Sequence, residues 1–240
     1  MYGGSNRNIH NNSYNNNNSN NNKKKKKEGD EKTERDKKRK SSASDDEDDD
    51  HEYEESKKSH ELKEIYRVNN HITFYNEVDR KSILKLINLI HEAEEYCVLT
   101  SMKLRVPEIP IYLHIYSYGG CVSSAFAAVD TIQSSKVPIY SVIEGETASA
   151  GTIISIVCKK RFIRPNGFML IHQLSSGCWG KMAEIIDEYN NMTMFMNKIT
   201  EIYSTYSTLS EKKLGRLLKH DLWLDSAKAI KYGLVDELYT

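Results

Sequence analysis

The sequence predicts an α/β fold of repeated strand–helix crossover units behind a low-complexity start. Three observations point there. Apolar runs of strand length alternate with amphipathic runs of helix length from about residue 62 onward. Glycine-containing turn signals separate them. One long stretch, residues 181–206, repeats its apolar positions at three- and four-residue steps.

The chain has 240 residues, with 34 Lys and Arg against 34 Asp and Glu. Net neutrality hides an uneven distribution. Residues 1–60 hold almost no aliphatic side chains: an asparagine tract, Lys23 to Lys27, a mixed charged run and the acidic block 45–50. Such a composition cannot bury enough apolar surface to offset ordering entropy, so it reads as a disordered tail. Lys37-Lys38-Arg39-Lys40 could serve nuclear import, while the acidic block beside it weighs against a nucleic-acid site. Residues 61–240 are long enough for one domain with a sizeable core.

Cys97, Cys121, Cys158 and Cys178 show no paired metal-ligand spacing, and no signal peptide precedes them. No apolar run reaches the length of a membrane span. The expectation is a reduced protein of the cytoplasm or nucleus, not secreted and not in the membrane.

The elements follow in order. Residues 71–75 read as a short strand, and residues 82–96 as a helix with one wide apolar face. Pro107 marks residues 97–109 as a loop. Residues 111–116 form a buried strand, 117–120 a sharp turn and 121–133 an Ala-rich helix. Another strand, 137–143, enters a block of small residues around Ser149, and a helix leaves from Thr152. Two short strands, 161–163 and 168–171, flank the Pro165-Asn166-Gly167 turn. The long helix 181–206 carries a packing seam of Met182, Ile185, Tyr189, Met192, Met196, Ile199 and Tyr203. A helix at 210–219, a helix from Ser226 and a last strand at 234–238 close the chain.

Ser149 is the one hydroxyl in its block of small residues, at a strand-to-helix turn where free N–H groups point outward. That suits a nucleophile beside an oxyanion site, and it equally suits a serine that merely caps a helix. His172 at a strand end could be a base or a structural histidine. Asp221 could orient that base or cap a turn, and Gly119-Gly120 could be a donor site or only a turn. No G-x-S-x-G elbow is present. Gly177-Cys178-Trp179-Gly180-Lys181-Met182 misses the phosphate-binding loop in spacing and lacks the following Ser or Thr.

Taken together, four ordered blocks resemble the Clp-type (ClpP) serine peptidase family. Residues 145–151 are similar to its Gly-x-x-Ala-Ser-Met-Gly block and residues 169–173 to its Met-Ile-His-Gln block. Residues 111–120 are similar to its oxyanion strand and turn. Asp221-Leu222-Trp223-Leu224 with residues 229–236 is similar to its C-terminal segment. Tyr116, Tyr118 and Ala150 stand where the family has Asn, Pro and Met. The stretch 97–108 looks longer than usual, and the segment before His71 does not resemble the family's axial loop.

The resemblance implies a ClpP/crotonase-like spiral of repeated β-β-α units with a protruding handle helix. It implies a serine endopeptidase in which Ser149 attacks, His172 transfers the proton and Asp221 orients His172. The N–H groups of Gly120 and Ala150 would bind the oxyanion. It also implies stacked homo-oligomeric rings, unfolded protein or peptide substrates, no cofactor, and ATP only through a separate AAA+ unfoldase. A catalytically silent ring subunit and a crotonase-type acyl-CoA enzyme remain the alternatives.

Overall fold

The computed structural model describes residues 64–240. The low-complexity segment read from composition over residues 1–60 lies outside them. No helix among the described residues is long and apolar enough to cross a membrane.

Strands β1 (Ile65–Val68) and β2 (His71–Tyr75) form an antiparallel hairpin that turns at Asn69, whose φ is 55°. From β2 onward the main sheet is parallel: β2, β3 (Ile111–Ser117), β4 (Ile139–Ala148), β5 (Lys160–Ile163) and β8 (Glu237–Leu238) lie in that order. Parallel neighbours need crossover connections, and helices supply them. Strand β3 alternates with period two. Ile111, Leu113, Ile115 and Ser117 are buried, while Tyr112, His114 and Tyr116 on the other face are half-buried.

Helix α1 (Arg80–Leu104) buries Ile83, Leu86, Ile90, Ala93 and Cys97, a three–four spacing that keeps them on one stripe. Asp79 and Ser82 form a capping box at its start. The expected loop at 97–109 is therefore corrected: the helix runs on to Leu104. Leu99, Met102 and Leu104 are exposed there, so burial gives no periodic signal while local helix propensity continues. Arg105 in the left-handed region ends the helix, and Pro107 follows it. The stretch that looked like a long loop is mostly helix.

Helix α2 (Val122–Ser134) returns the chain to β4. Strand β4 is longer than expected and changes partners. Its first half lies between β3 and β5, and its last three residues pair with β6 (Phe168–Leu170). The register against β3 slips between Ile115↔Ile143 and Ser117↔Thr147, so β4 spends two extra residues there. Gly145, at φ 59°, makes the bend, and a Cβ on it would lie 2.9 Å from the Tyr116 ring. The block around Ser149 is thus strand up to Ala148, and the turn is Ser149 itself.

Helix α3 (Ala150–Ile156) is buried at all seven residues. Helix α4 (Met182–Tyr206) buries only its C-terminal part, at Ile199, Ile202 and Tyr203, while Met182, Ile185, Ile186, Tyr189 and Met194 are exposed. This is the protruding helix. Helix α5 (Glu211–Leu217), the two-residue β7 (Leu224–Asp225) and helix α6 (Ser226–Lys231) lead to β8.

Candidate active site

Ser149 occupies the N-cap position of α3, yet its side chain makes no capping hydrogen bond. The hydroxyl is therefore not engaged in the structural role that a serine there usually plays. Its backbone, at φ 54° and ψ −126°, lies in a region that side-chain-bearing residues rarely enter. Strain of this kind persists only where neighbours hold it. The Ser149 N–H donates to the Leu170 carbonyl at 2.9 Å, and its own carbonyl accepts from the Thr152 N–H at 2.9 Å and the Thr152 hydroxyl at 2.6 Å.

The bond to Leu170 ties Ser149 to β6, two residues before His172. Strand β6 pairs antiparallel with β7 through Phe168↔Asp225 and Met169↔Leu224. Continuing that register by three positions sets His172 opposite Asp221. The next backbone tie departs from that register by two residues: the Gln173 N–H donates to the carbonyl of Leu218 at 2.6 Å, where the register would bring His220. His172 Nδ1 and Asp221 Oδ1 are 3.8 Å apart, in ion-pair range but beyond a hydrogen bond. The His172 side chain is 25% exposed and that of Asp221 80%. Asp221 makes no hydrogen bond among the described residues, so it does not cap a turn there. The ladder stops at Met169–Leu224, and Leu222 and Trp223 between it and Asp221 are exposed rather than anchored. Ser149 Oγ makes no hydrogen bond to His172 in this state. Catalytic bonds of this type are often long without substrate.

The glycine turn abuts Ser149 directly. Gly119 is buried at φ 96°, Gly120 is exposed at φ 139°, and Ala150 is buried. The Gly119 carbonyl accepts from Val78 N–H at 2.7 Å, and the Cys121 N–H donates to the Val78 carbonyl at 2.7 Å. These bonds pin both sides of Gly120. Among the described residues, the N–H groups of Gly120 and Ala150 have no partner, which leaves them available to a ligand oxygen. Tyr116, on the half-buried face of β3, meets the ring of Tyr118, just past the strand's end, edge to face, and the Tyr118 hydroxyl donates to Glu146 at 2.6 Å. That bond pushes the Tyr118 phenol well above its ordinary range. Both substitutions thus leave the turn backbone free.

Three features escaped the sequence reading. Gly119, not only Gly120, abuts Ser149. Cys121 follows the turn, and hydrogen bonding to Ser123 lowers its thiol pKa. Thr152 and Tyr203 share a buried hydrogen bond of 2.6 Å beneath Ser149. A hydroxyl within the apolar run after Ser149 was the only available signal for the last.

The family profile of "Clp protease" matches residues 66–240. The chain is 34% identical over 131 residues to the ATP-dependent Clp protease proteolytic subunit 2 of Treponema denticola, covering 54% of this chain and 66% of that protein. It is 35% identical over 132 residues to the ATP-dependent Clp protease proteolytic subunit of Streptococcus mutans, covering 53% and 67%. The aligned part thus spans about two thirds of those relatives' own length. Among solved structures, a point mutant of ClpP1 from Listeria monocytogenes matches with a TM-score of 0.62 at 24% identity, over 71% of this chain and 91% of that one. The fold is that of ClpP.

Proposed function

The chain belongs to the Clp protease family, and from that premise we propose that it is a serine endopeptidase acting on unfolded proteins and peptides. Ser149 Oγ attacks the scissile carbonyl, and His172 takes its proton and returns one to the leaving amine. Asp221 holds the His172 tautomer and stabilises the imidazolium. The N–H groups of Gly120 and Ala150 receive the oxyanion. The observation that carries this reading is the uncapped, strained Ser149 tied to Leu170 just before His172, whose Nδ1 lies 3.8 Å from Asp221. The chemistry requires no metal or cofactor from this chain. ATP enters only through a separate AAA+ unfoldase. Stacked rings of this chain would enclose the sites, and the exposed apolar face of α4 supports that assembly. Cys97 and Cys158 are buried free thiols, which suits the cytoplasm or nucleus.

A silent ring subunit is the second reading, favoured by the 3.8 Å gap and the exposure of Asp221. Reaction of the full chain with a fluorophosphonate probe, with particle size measured on the same sample, separates the two. Labelling at Ser149 is expected. An assembled particle that stays unlabelled would establish the silent reading instead.

A further inference from the structure

We infer that Thr152 and Tyr203 are positioning residues that aim the Ala150 N–H at the oxyanion. The inference rests on the peptidase reading above.

The direction of each bond follows from donor and acceptor counting. The Ser149 carbonyl can only accept, so the Thr152 hydroxyl donates to it across 2.6 Å. That uses the single hydroxyl hydrogen of Thr152. The 2.6 Å contact between Thr152 Oγ1 and the Tyr203 hydroxyl must then have Tyr203 as donor. Burial holds the Tyr203 phenol far above its ordinary titration range, so it stays protonated and able to donate. The result is a one-way chain from α4, through α3, to the Ser149 carbonyl.

That carbonyl belongs to the same planar peptide unit as the Ala150 N–H. In a trans peptide the two groups point in opposite directions. Anything that fixes the carbonyl therefore fixes the direction of the N–H. Two bonds from Thr152, one backbone and one hydroxyl, hold the carbonyl, and Tyr203 holds the hydroxyl. Hydrogen bonding at the carbonyl also polarises the peptide and strengthens its N–H as a donor. The peptide needs such restraint because Ser149 sits at φ 54°.

A packing role alone does not account for the pair. Thr152 is fully buried in a helix otherwise made of small and aliphatic residues, and Tyr203 is 1% exposed. Val and Phe would fill the same space without a buried hydroxyl that must find a partner.

The test compares Thr152→Val, Thr152→Ser and Tyr203→Phe with the parent chain. Each is followed by peptide hydrolysis, fluorophosphonate labelling rate and thermal midpoint. Losing a whole oxyanion donor costs ~10²–10³ in kcat, so mis-aiming one should lower kcat about 10-fold in Thr152→Val, and by less in Tyr203→Phe. KM should stay within about twofold, because the loss falls on the transition state. Labelling should slow in step with kcat, and Thr152→Ser, which restores the hydroxyl, should recover most of the rate. If Thr152→Val or Tyr203→Phe keeps the parent kcat, the inference fails. It fails equally if Thr152→Ser folds but does not recover the rate. A parent chain that neither labels nor hydrolyses peptide overturns the peptidase reading itself, and this inference with it.

Discussion

Gly119 and Ser149 stand so close that a Cβ on Gly119 would lie 2.6 Å from the Cβ of Ser149, and 2.9 Å from the Ala150 nitrogen. The Gly119-Gly120 turn and the turn at Ser149 are therefore packed backbone against backbone. Gly119→Ala should abolish peptidase activity and destabilise the fold by about 1–3 kcal/mol through overpacking. Its φ of 96° adds strain to any side chain there. Gly177→Ala, with nothing within 4 Å of the added methyl, is the control and should be silent. Equal melting temperatures and rates for both variants would contradict this packing.

Ser149→Ala should retain the fold and lose activity by roughly 10³-fold or more, as expected for one member of a catalytic unit. Ser149→Gly should be just as inactive but more stable than Ser149→Ala by about 1 kcal/mol, because glycine tolerates a φ of 54°. Chemical denaturation of the pair measures the difference. An alanine variant at least as stable as the glycine variant would argue against backbone strain at this position.

Asp221→Asn should fold normally, since the carboxylate is 80% exposed and makes no hydrogen bond among the described residues. Its rate should nevertheless fall by ~10²–10⁴, because the amide would favour the wrong tautomer of His172. The 3.8 Å separation must shorten when substrate binds for this to hold. Undiminished turnover in the variant would show that His172 works without Asp221.

Assembly can be probed where α4 is free of its own domain. Phe195 meets Phe126 edge to face, and Met196 accepts a hydrogen bond from the Leu174 N–H, so charges at those two positions would damage the subunit itself. Ile186 and Tyr189 are 46% and 66% exposed. The variants Ile186→Glu and Tyr189→Glu should reduce particle mass in light scattering while leaving the melting temperature of the subunit nearly unchanged. A parent chain that scatters as a single subunit would remove the ring proposal.

His71 gives the fold a predictable acid sensitivity. Its Nδ1 lies 3.0 Å from His114 Nε2, and His114 Nδ1 lies 2.8 Å from Glu144. Burial, and then the His114 charge, hold the His71 pKa below its ordinary value of 6.5. The unfolded chain thus takes up this proton first as pH falls. The contribution of His71 is fully present above about pH 6.5 and is lost as pH falls toward its folded value. His71→Phe, which can keep the stack on Tyr112, should flatten the fall in melting temperature below pH 6.5. A variant that parallels the parent at every pH would exclude His71 as the source.

Much of this molecule is legible before any tertiary contact is considered. Alternating burial in β3 and the three–four stripe of α1 each announce their element through spacing alone. So do the turn residues at Pro165-Asn166-Gly167, where the Gly167 N–H does donate to Arg164. The small-residue block around Ser149 and the order of the four blocks also pointed to the candidate site residues. The end of α1 was illegible because its last turns are exposed, so no burial pattern marks them. The full length of β4 was illegible because Gly145 and Glu146 look like a turn until β6 arrives to pair with Glu146, Thr147 and Ala148.

What the sequence determined by itself is therefore local: residue type, periodicity, and which side chains are candidates for the chemistry. Only tertiary structure decided their relations. The slip in register at Gly145 delivers Ser149 to Leu170, and the β6–β7 ladder carries His172 toward Asp221 across about fifty residues of chain. Tyr203 reaches Thr152 from a different helix. Contacts between residues distant in sequence depend on how whole elements pack, and a periodic pattern records only that a face is buried, not what covers it.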